Sequence, residues 1–470
     1  MVCSEGGRWL AMERLRDDDL LLVLQRLAVA DLLACRLVCK RLAALALHPD
    51  AWRRRRLTGA DARGRRACAV LRLAPCLAEM DVTLPGKRDV GTHQPPYATT
   101  RCAVRSLRLD AAAATPELTA LVIRNQVALG GLRRLHLVLS PYKRDPTVVL
   151  ETLASADGLQ RLLLYNNPDL TDSDFLPDYM TLPLHATLPQ PSLRFFECHY
   201  EQSSQLFIDF MLAAHAATLE EVDLGEHSLF EDSNTTTARL LGGIPNLRKL
   251  SCPLLPDLSA AGAGGALREL DLYIRPGMMV DVTLGARLLR RARQLRKVSL
   301  VYDTDGESDY ACAEVILALG PSVETLVVWL DDLVRAAAAP FPLQLRALRA
   351  VLPSLRQLAE LELNTKAVTE DLVRLLDITP SSAPALRRLE LSGVVEWTDS
   401  VRCPHYMVHR WDAMGALMRE NPRLYVALSD CSHYSCCLDG FGDDTCDVCK
   451  LSCMESETSE CWILLNRLNG

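Results

Sequence analysis

The sequence of 470 residues lacks the features typical of a membrane protein, a secreted protein or a general nucleic-acid binder. It has no run of 18 consecutive apolar residues, so we expect no membrane-spanning helix. Near the N-terminus, acidic residues 17–19 stand where a secretion signal needs an apolar core, so we expect no such signal. A formal net charge of −7 argues against nucleic acid as a general partner.

Familiar catalytic motifs are also missing from the sequence. There is no nucleophile elbow, phosphate loop, dinucleotide fingerprint or paired-histidine helix motif. The glycine-rich stretch GAGGA (262–266) lacks the preceding strand, the glycine spacing and the lysine that a phosphate loop needs. We therefore expect that the chain is not an enzyme.

The cysteines do not form the paired framework of a disulfide-stabilised protein. Their number, 17, is odd, and ten of them are scattered singly between Cys3 and Cys403. Cys198 and Cys252 occupy positions where the pattern described below requires a small apolar side chain, so we predict buried thiols there. These features favour a reducing compartment, the cytoplasm or the nucleus or both.

What the sequence contains in abundance is a short apolar pattern repeated along residues 77–391. Each copy places apolar residues at its first, fourth and sixth positions, as in LRRLHL (132–137) and LRKVSL (295–300). The twelve copies begin at residues 77, 104, 132, 159, 193, 219, 247, 267, 295, 323, 358 and 386. Most begin 26 to 28 residues after the previous copy, and a fixed period in this range is typical of leucine-rich repeats.

Segments with helical spacing follow the copies, for example residues 115–126 and 284–295. One strand and one helix per copy predict an α/β leucine-rich-repeat solenoid, with parallel strands on its concave face and helices on its convex face. The apolar triplet should point into the core, because no copy can bury its apolar face alone. The interval before residue 267 is only 20 residues long, so SAAGAGGA (259–266) is predicted as a tight loop.

Residues 15–52, ahead of the repeats, predict three short helices at about 17–27, 30–36 and 38–47. Acidic residues 17–19 favour the start of the first helix. Residues 20–24 are an unbroken run of Leu and Val. A small three-helix unit cannot bury all five side chains, so some of them should face a partner.

This segment resembles the F-box, whose pattern runs from Leu-Pro through an acidic turn, an apolar helix, Asp-Leu and Val-Cys with a basic pair to a closing Trp. Two residues depart from the pattern: Arg16 replaces the Pro, and Leu42 replaces a Trp after the basic pair. The resemblance implies binding to a Skp-type adaptor and, through it, to a cullin–RING ubiquitin ligase. The adaptor-binding residues that it implies are Leu15, Asp18, Leu20, Val23, Leu24, Leu27, Leu32, Val38, Cys39 and Trp52. The other interpretation is a helical cap that closes the apolar stack of repeats.

A basic run, residues 53–56, follows the F-box-like segment, with Arg63, Arg65 and Arg66 further along. We predict a solvated helix that links the segment to the first repeat. The alternative is a nuclear-targeting or nucleic-acid-binding patch.

The third, fifth and seventh positions of each copy should project from the strands into solvent, because successive side chains of a strand point to opposite faces. Read in order, these positions suggest a basic end and an acidic middle, and so a protein target of complementary charge. Aromatic residues at the seventh position are candidate anchors. The candidate target-binding residues are Arg108, Arg134, Arg161, Tyr165, Glu221, Asp223, Asp271, Tyr273, Val327 and Trp329.

The last 42 residues, 429–470, are rich in cysteine and acidic side chains. Cys446 and Cys449 form a CxxC pair, Cys453 follows, and Cys436 lies upstream. Thiolates at this spacing are candidate zinc ligands. The alternatives are a disordered acidic tail and thiols that pair only under oxidation.

We therefore predict an F-box at residues 10–57, a linker helix at 58–76, a repeat domain with a C-terminal cap at 77–428 and a Cys-rich tail at 429–470. The corresponding function is that of a substrate-recognition subunit of an SCF-type ubiquitin ligase. Its alternative is a repeat scaffold independent of any ligase. A more distant alternative is a zinc-dependent regulatory or nucleic-acid-binding protein that uses the tail and the basic run.

Overall fold

The structure is a computed structural model, and the parts of it described here cover most of the chain. These parts are residues 15–59, 64–86, 96–139, 146–166, 189–199, 205–225, 235–255, 257–274, 283–303, 309–331, 342–365, 370–392, 412–429 and 463–464. The chain divides into two compact units, residues 1–219 and 220–470. Within the described parts, no helix is both long enough and apolar enough to cross a membrane.

The first unit opens with the predicted three helices. These are α1 (Asp17–Leu24), α2 (Val29–Cys35) and α3 (Lys40–Ala46), followed by a short fourth helix, α4 (Pro49–Trp52). Three aspartates occupy the first turn of α1, where they stabilise the positive end of the helix dipole. We refer to residues 15–59 as the helical module.

The rest of the first unit alternates strands with helices. The strands are β1 (Arg56–Leu57), β2 (Cys76–Thr83), β3 (Ala103–Asp110), β4 (Arg134–Leu139), β5 (Arg161–Asn166) and β6 (Phe195–His199). The helices are α5 (Gly64–Leu73), α6 (Pro116–Ala128), α7 (Thr147–Ala154) and α8 (Gln205–His215). Each strand pairs in parallel with the next one along the chain, which requires a crossover at every step.

The second unit repeats this plan. Its strands are β7 (Glu221–Asp223), β8 (Lys249–Pro253), β9 (Glu269–Ile274), β10 (Lys297–Asp303), β11 (Thr325–Asp331), β12 (Glu360–Thr365), β13 (Arg388–Ser392), β14 (Tyr425–Ser429) and β15 (Ile463–Leu464). Its helices are α9 (Thr235–Gly242), α10 (Thr283–Arg291), α11 (Asp309–Leu317), α12 (Pro342–Val351), α13 (Glu370–Leu375) and α14 (Asp412–Glu420). Strands β7 to β14 pair in parallel, and β15 is antiparallel to β14.

The apolar triplets form the core of both units, as predicted. In β4, Leu135 and Leu137 are fully buried, while the intervening positions keep part of their surface. Cys198 and Cys252 take the same place in their strands and are buried thiols. Burial, reinforced by the nearby carboxylates of Asp223 and Asp271, raises the pKa of Cys252, so this thiol is protonated at neutral pH.

The short interval before residue 267 holds a 3-10 helix, Leu258–Gly264, rather than the predicted tight loop. The small residues of this segment allow close packing on both sides. A side chain at Gly262 would meet Leu288 of α10 at 3.0 Å, and one at Gly242 would meet Ala260 at 2.9 Å. A tighter helix with a longer rise per residue therefore replaces the α-helix of an ordinary copy.

The predicted α/β leucine-rich-repeat class, preceded by a small all-α module, is confirmed. A helix separates most of the neighbouring strands from β3 to β14, and the first, fourth and sixth positions of the copies are buried except at Leu386, which is half-buried. The second position has a separate role, because its carbonyl accepts hydrogen bonds from two amides of the next copy. Glu220, for example, accepts from the amides of Arg248 and Lys249 at 2.7 and 3.2 Å.

Candidate protein-interaction surfaces

The interior of the helical module holds four of the ten residues that the F-box resemblance assigns to adaptor binding. Leu20, Leu24, Leu32 and Trp52 are all buried. They hold the helices together and leave almost no side-chain surface for another protein. The prediction that they contact the adaptor is therefore corrected: they form the core of the module.

Trp52 and Arg55 join the fourth helix to the rest of the module. The indole Nε1 of Trp52 donates a hydrogen bond to the carbonyl of Ala46 at 2.7 Å. The guanidinium of Arg55 donates to the carbonyls of Ala51, Leu27 and Leu24, each at 2.8 Å. Arg55 thus links α4 to the C-terminal end of α1 and to the turn after it, where carbonyl groups lack donors from within the helix. The carbonyl of Leu24 also accepts from the amide of Leu27 at 3.3 Å.

Residues 53–56 are consequently not part of a helix, whereas α5 (Gly64–Leu73) lies within the predicted linker range, residues 58–76. Arg53 and Arg54 follow α4, Arg55 is half-buried, and Arg56 begins β1, where its Nε lies 3.3 Å from the carboxylate of Glu79. Burial lowers the pKa of Arg55. One sequence run therefore combines exposed charges with a structural arginine. Arg63 lies outside the described residues.

The outer surface of the module exposes large apolar side chains. Val23 is 53% exposed and Val38 63%, and both were predicted adaptor-binding residues. Leu22, 62% exposed, and Leu37, 80% exposed, belong to the same class but were not predicted. Helical periodicity identifies Leu22, because Leu20, Leu21 and Leu24 form the buried face of α1. Leu37 stands between α2 and α3, where periodicity carries no signal.

A polar edge accompanies these apolar groups. Arg41 donates to a carboxylate oxygen of Asp17 at 2.7 Å and to the carbonyl of Leu15 at 2.6 Å. This contact holds the N-terminal end of the module beside α3. Asp18 and Cys39 are exposed, Leu15 is 39% exposed, and Leu27 is half-buried. The sulfur of Cys39 accepts from the amide of Leu42 and caps α3.

The strand face of the first unit carries both basic and acidic side chains, so it is not the basic end that the sequence suggested. Arg134 lies directly beside Arg161, and Arg161 stacks on the ring of Phe195 with 3.7 Å from its guanidinium carbon to the ring centre. Arg108, however, lies beside Asp81 of β2. Glu79 and Glu197 occupy the same outward columns, so carboxylates balance the three arginines.

A row of rings crosses three strands of this face. The ring of Tyr165 lies 4.9 Å from that of His136 and 5.1 Å from that of His199. The hydroxyl of Tyr165 donates to the carboxylate of Glu197. Partial burial, with a smaller contribution from Arg108, lowers the pKa of His136, although Asp81 acts in the opposite direction. Tyr165 is therefore held in a network, with its ring half-buried.

The strand face of the second unit has a clear excess of negative charge. Its outward third-position column from β7 to β13 reads Glu221, Lys249, Glu269, Lys297, Thr325, Glu360 and Arg388. Its fifth-position column reads Asp223, Ser251, Asp271, Ser299, Val327, Glu362 and Glu390. Along these described strands, the two columns hold seven carboxylates, of which Glu390 is buried, and three cations. The fifth-position column contains no cation.

Apolar groups interrupt this acidic face at β10 and β11. Trp329 is 41% exposed and lies beside Val301, while Val327 occupies the neighbouring column. The indole Nε1 of Trp329 donates to Glu362 at 3.3 Å. The structure thus brings together Trp329, Val327 and, through β9, Asp271 and Tyr273 of the predicted target-binding set. We refer to Asp271, Tyr273, Val301, Val327, Trp329 and Glu362 as the Trp329 patch.

Two carboxylates of this patch are partly withdrawn from water. Burial raises the pKa of Asp271, although Lys249 and Lys297 oppose the shift. Burial also raises the pKa of Glu362, against the hydrogen bond from Trp329. The neighbouring cations therefore do not fully compensate these two charges. The candidate zinc ligands Cys436, Cys446, Cys449 and Cys453 lie outside the described residues.

Comparison with known proteins agrees with the helical module. A family model described as F-box-like matches residues 17–58. Among solved structures, the chain is similar to the leucine-rich repeat-containing protein LegL7 from Legionella pneumophila, at 14% identity and a TM-score of 0.35, covering 73% of this chain and 97% of that one. No curated protein matches the sequence. The chain therefore combines an F-box-like module with strand–helix repeats, an arrangement suited to protein interaction.

Proposed function

We propose that this chain is the substrate-recognition subunit of an SCF-type E3 ubiquitin ligase. The helical module binds a Skp-type adaptor and thereby a cullin–RING ligase. The repeats bind a protein target, which is then ubiquitinated and degraded by the proteasome. In this proposal the chain is not an enzyme and acts in the cytoplasm or the nucleus. It contributes proximity, because it holds a target lysine near a conjugating enzyme whose chemistry is elsewhere.

The observation that carries the proposal is the uncovered apolar surface of the module. Leu22, Val23, Leu37 and Val38 are each more than half exposed, although the module has its own core around Trp52. A terminal cap for the repeats would have no reason to expose such side chains. Several large exposed apolar side chains on one small helical unit are typical of docking sites for another protein.

The repeats supply the second binding function. Their strand faces present charged and aromatic side chains on a rigid ladder of parallel strands, with the apolar triplets beneath them. Such a surface can select a partner by charge and shape without contributing chemistry. The two functions use different surfaces of the chain and can therefore be separated by mutation.

The experiment is a quantitative pull-down of a Skp-type adaptor by the full-length chain. We expect the double variant Leu37→Asp/Val38→Asp to lose at least about tenfold in adaptor affinity, because charges replace desolvated apolar contacts. Both residues are exposed, so circular dichroism and thermal unfolding should remain those of the parent chain.

The matched control is Leu121→Asp on α6, where the leucine is 50% exposed but lies outside the module. This variant should bind the adaptor like the parent. Equal binding by all three proteins, or no adaptor binding by the parent chain, would contradict the proposal. The second outcome would favour a repeat scaffold that acts without a ligase, and co-purification of a cullin from cells distinguishes that alternative directly.

A further inference from the structure

We infer that the Trp329 patch of the second unit binds an extended target segment in which basic residues flank a large apolar side chain. This inference rests on the proposed function, since it names the class of target that the repeats would select.

Charge complementarity indicates that the bound target segment is positively charged. Six carboxylates that are not buried, together with the buried Glu390, stand against three cations in the columns of β7 to β13. Two of the three cations already lie close to carboxylates: Lys249 is 3.7 Å from Asp271 and Arg388 is 2.9 Å from Glu390. An acidic segment would meet like charges along most of this face, whereas a basic segment would reduce the repulsion between the carboxylates.

Trp329 identifies the apolar component. A tryptophan with two-fifths of its surface exposed on a strand face presents a large rigid area, and tryptophan is among the residues that most often dominate binding energy. The hydrogen bond from its Nε1 to Glu362 holds a carboxylate at the edge of the indole. A lysine or arginine of the target can therefore contact the ring face and the carboxylate together.

Strand spacing sets the arrangement of the segment. Asp271 lies on β9 and Glu362 on β12, and the parallel register connects them through β10 and β11. Three strand spacings correspond to about 14 Å, or about four residues of an extended chain. The target segment should therefore carry two basic residues about four positions apart, with the apolar side chain between them over Val327 and Trp329.

The strand face of the first unit, by contrast, does not indicate the charge of a binding partner. Its three outward arginines are balanced by Glu79, Asp81 and Glu197 in the same columns. Neither sign of charge prevails there. Only the second unit combines an uncompensated charge with an exposed aromatic ring among the strand faces described here.

The test uses three fluorescently labelled 15-residue peptides and the full-length chain. The first peptide carries the basic–apolar pattern, the second replaces each basic residue with Glu, and the third replaces each large apolar residue with Ser. We expect the first peptide to bind at least about tenfold more tightly than either of the others, as measured by fluorescence anisotropy. Equal or tighter binding of the acidic peptide, or no detectable binding of the first, would overturn the inference.

Variants of the protein then locate the site. Trp329→Ala/Glu362→Gln should weaken binding of the first peptide about tenfold. The matched control is Leu317→Ala/Glu314→Gln on α11, which also removes one exposed apolar side chain and one exposed carboxylate from the second unit. An equal loss in both variants would contradict the assignment. Adaptor pull-down by the same proteins separates this result from the proposed function, because neither variant alters the helical module.

Discussion

The helical module and the strand face of the second unit expose side chains of opposite character. The module leaves Leu22, Val23, Leu37 and Val38 uncovered around a complete core. The second unit instead presents more carboxylates than cations, with a single large aromatic side chain, Trp329, among the exposed groups of its described strands. Binding at the module is favoured by the removal of apolar surface from water. Binding at the second unit is favoured by a partner of opposite charge.

This difference predicts that the module is less selective among binding partners than the strand face of the second unit. An apolar surface binds without discriminating finely among partners of similar shape, which suits attachment to a common adaptor. Charged columns on a rigid ladder reject partners of the wrong charge, which suits the choice of a target. The predictions below test whether the two surfaces differ in this way.

The largest expected effect separates the core of the module from its surface. Leu24→Ala should lower the free energy of unfolding of the module by about 2–5 kcal/mol, because it removes buried methyl groups and leaves a cavity. Val38→Ala should change it by less than about 0.5 kcal/mol, because Val38 is mostly exposed. Hydrogen exchange of α1 to α3, measured by mass spectrometry, checks both values. Similar protection in the two variants would show that the module has no distinct interior.

Arg55 offers a second comparison, between neighbouring residues of one basic run. Arg55→Met should destabilise the module by about 1–3 kcal/mol, since the carbonyls of Leu27 and Ala51 lose the guanidinium donor and that of Leu24 keeps only the amide of Leu27. Arg54→Met should have almost no effect, because Arg54 is exposed. Thermal unfolding of the two full-length variants provides the measurement. If Arg54→Met were the more damaging change, the structural role of Arg55 would be wrong.

Salt dependence compares the two surfaces directly. Raising the sodium chloride concentration from about 0.05 M to 0.5 M shortens the screening length to a few ångströms. The affinity of the chain for the basic peptide should therefore fall by about tenfold. Adaptor binding by the module should change little, since its contacts are apolar. Anisotropy titrations at both salt concentrations check this expectation. If peptide binding and adaptor binding depended equally on salt, the two surfaces would not differ in the way proposed.

The smallest expected effect concerns His136 on the strand face of the first unit. Its pKa is lowered by partial burial and by Arg108, so the folded chain favours the neutral imidazole. Stability contributed by this group is therefore complete above the ordinary histidine pKa, and it declines as the pH falls below that value toward the lowered one. Arg108→Gln should raise the pKa of His136 and lessen the decline. Proton NMR titration of the His136 ring, in the parent chain and in the variant, checks the direction.

Much of the fold followed from periodicity alone. Apolar residues at the first, fourth and sixth positions predicted the buried triplets, including Cys198 and Cys252, because a repeat can bury its apolar face only against its neighbours. The three helices of the module were predicted from local signals such as acidic residues 17–19. Exposure of some side chains in residues 20–24 was predicted because so small a unit cannot bury all five. Periodicity is a local signal, and these features depend on local spacing.

Other features required the packed structure. Resemblance placed Leu24 and Val38 in one adaptor-binding set, yet one is buried and the other is mostly exposed. The structural role of Arg55 could not be read from the basic run, because its carbonyl partners lie on α4, on α1 and in the turn after α1, up to 31 residues away along the chain. The alternation of outward side chains was expected, but the balance of Arg108 and Arg161 by carboxylates of β2 and β6 was not.

The sequence by itself determined which side chains of each repeat lie inside and how often the chain repeats, because apolar residues at a constant spacing mark the same face of every strand. Tertiary structure alone decided which outward side chains become neighbours. Trp329, Glu362 and Asp271 are separated by up to 91 positions, and the parallel register of β9 to β12 brings them to one surface. Contact between distant copies depends on strand pairing, which no single copy encodes.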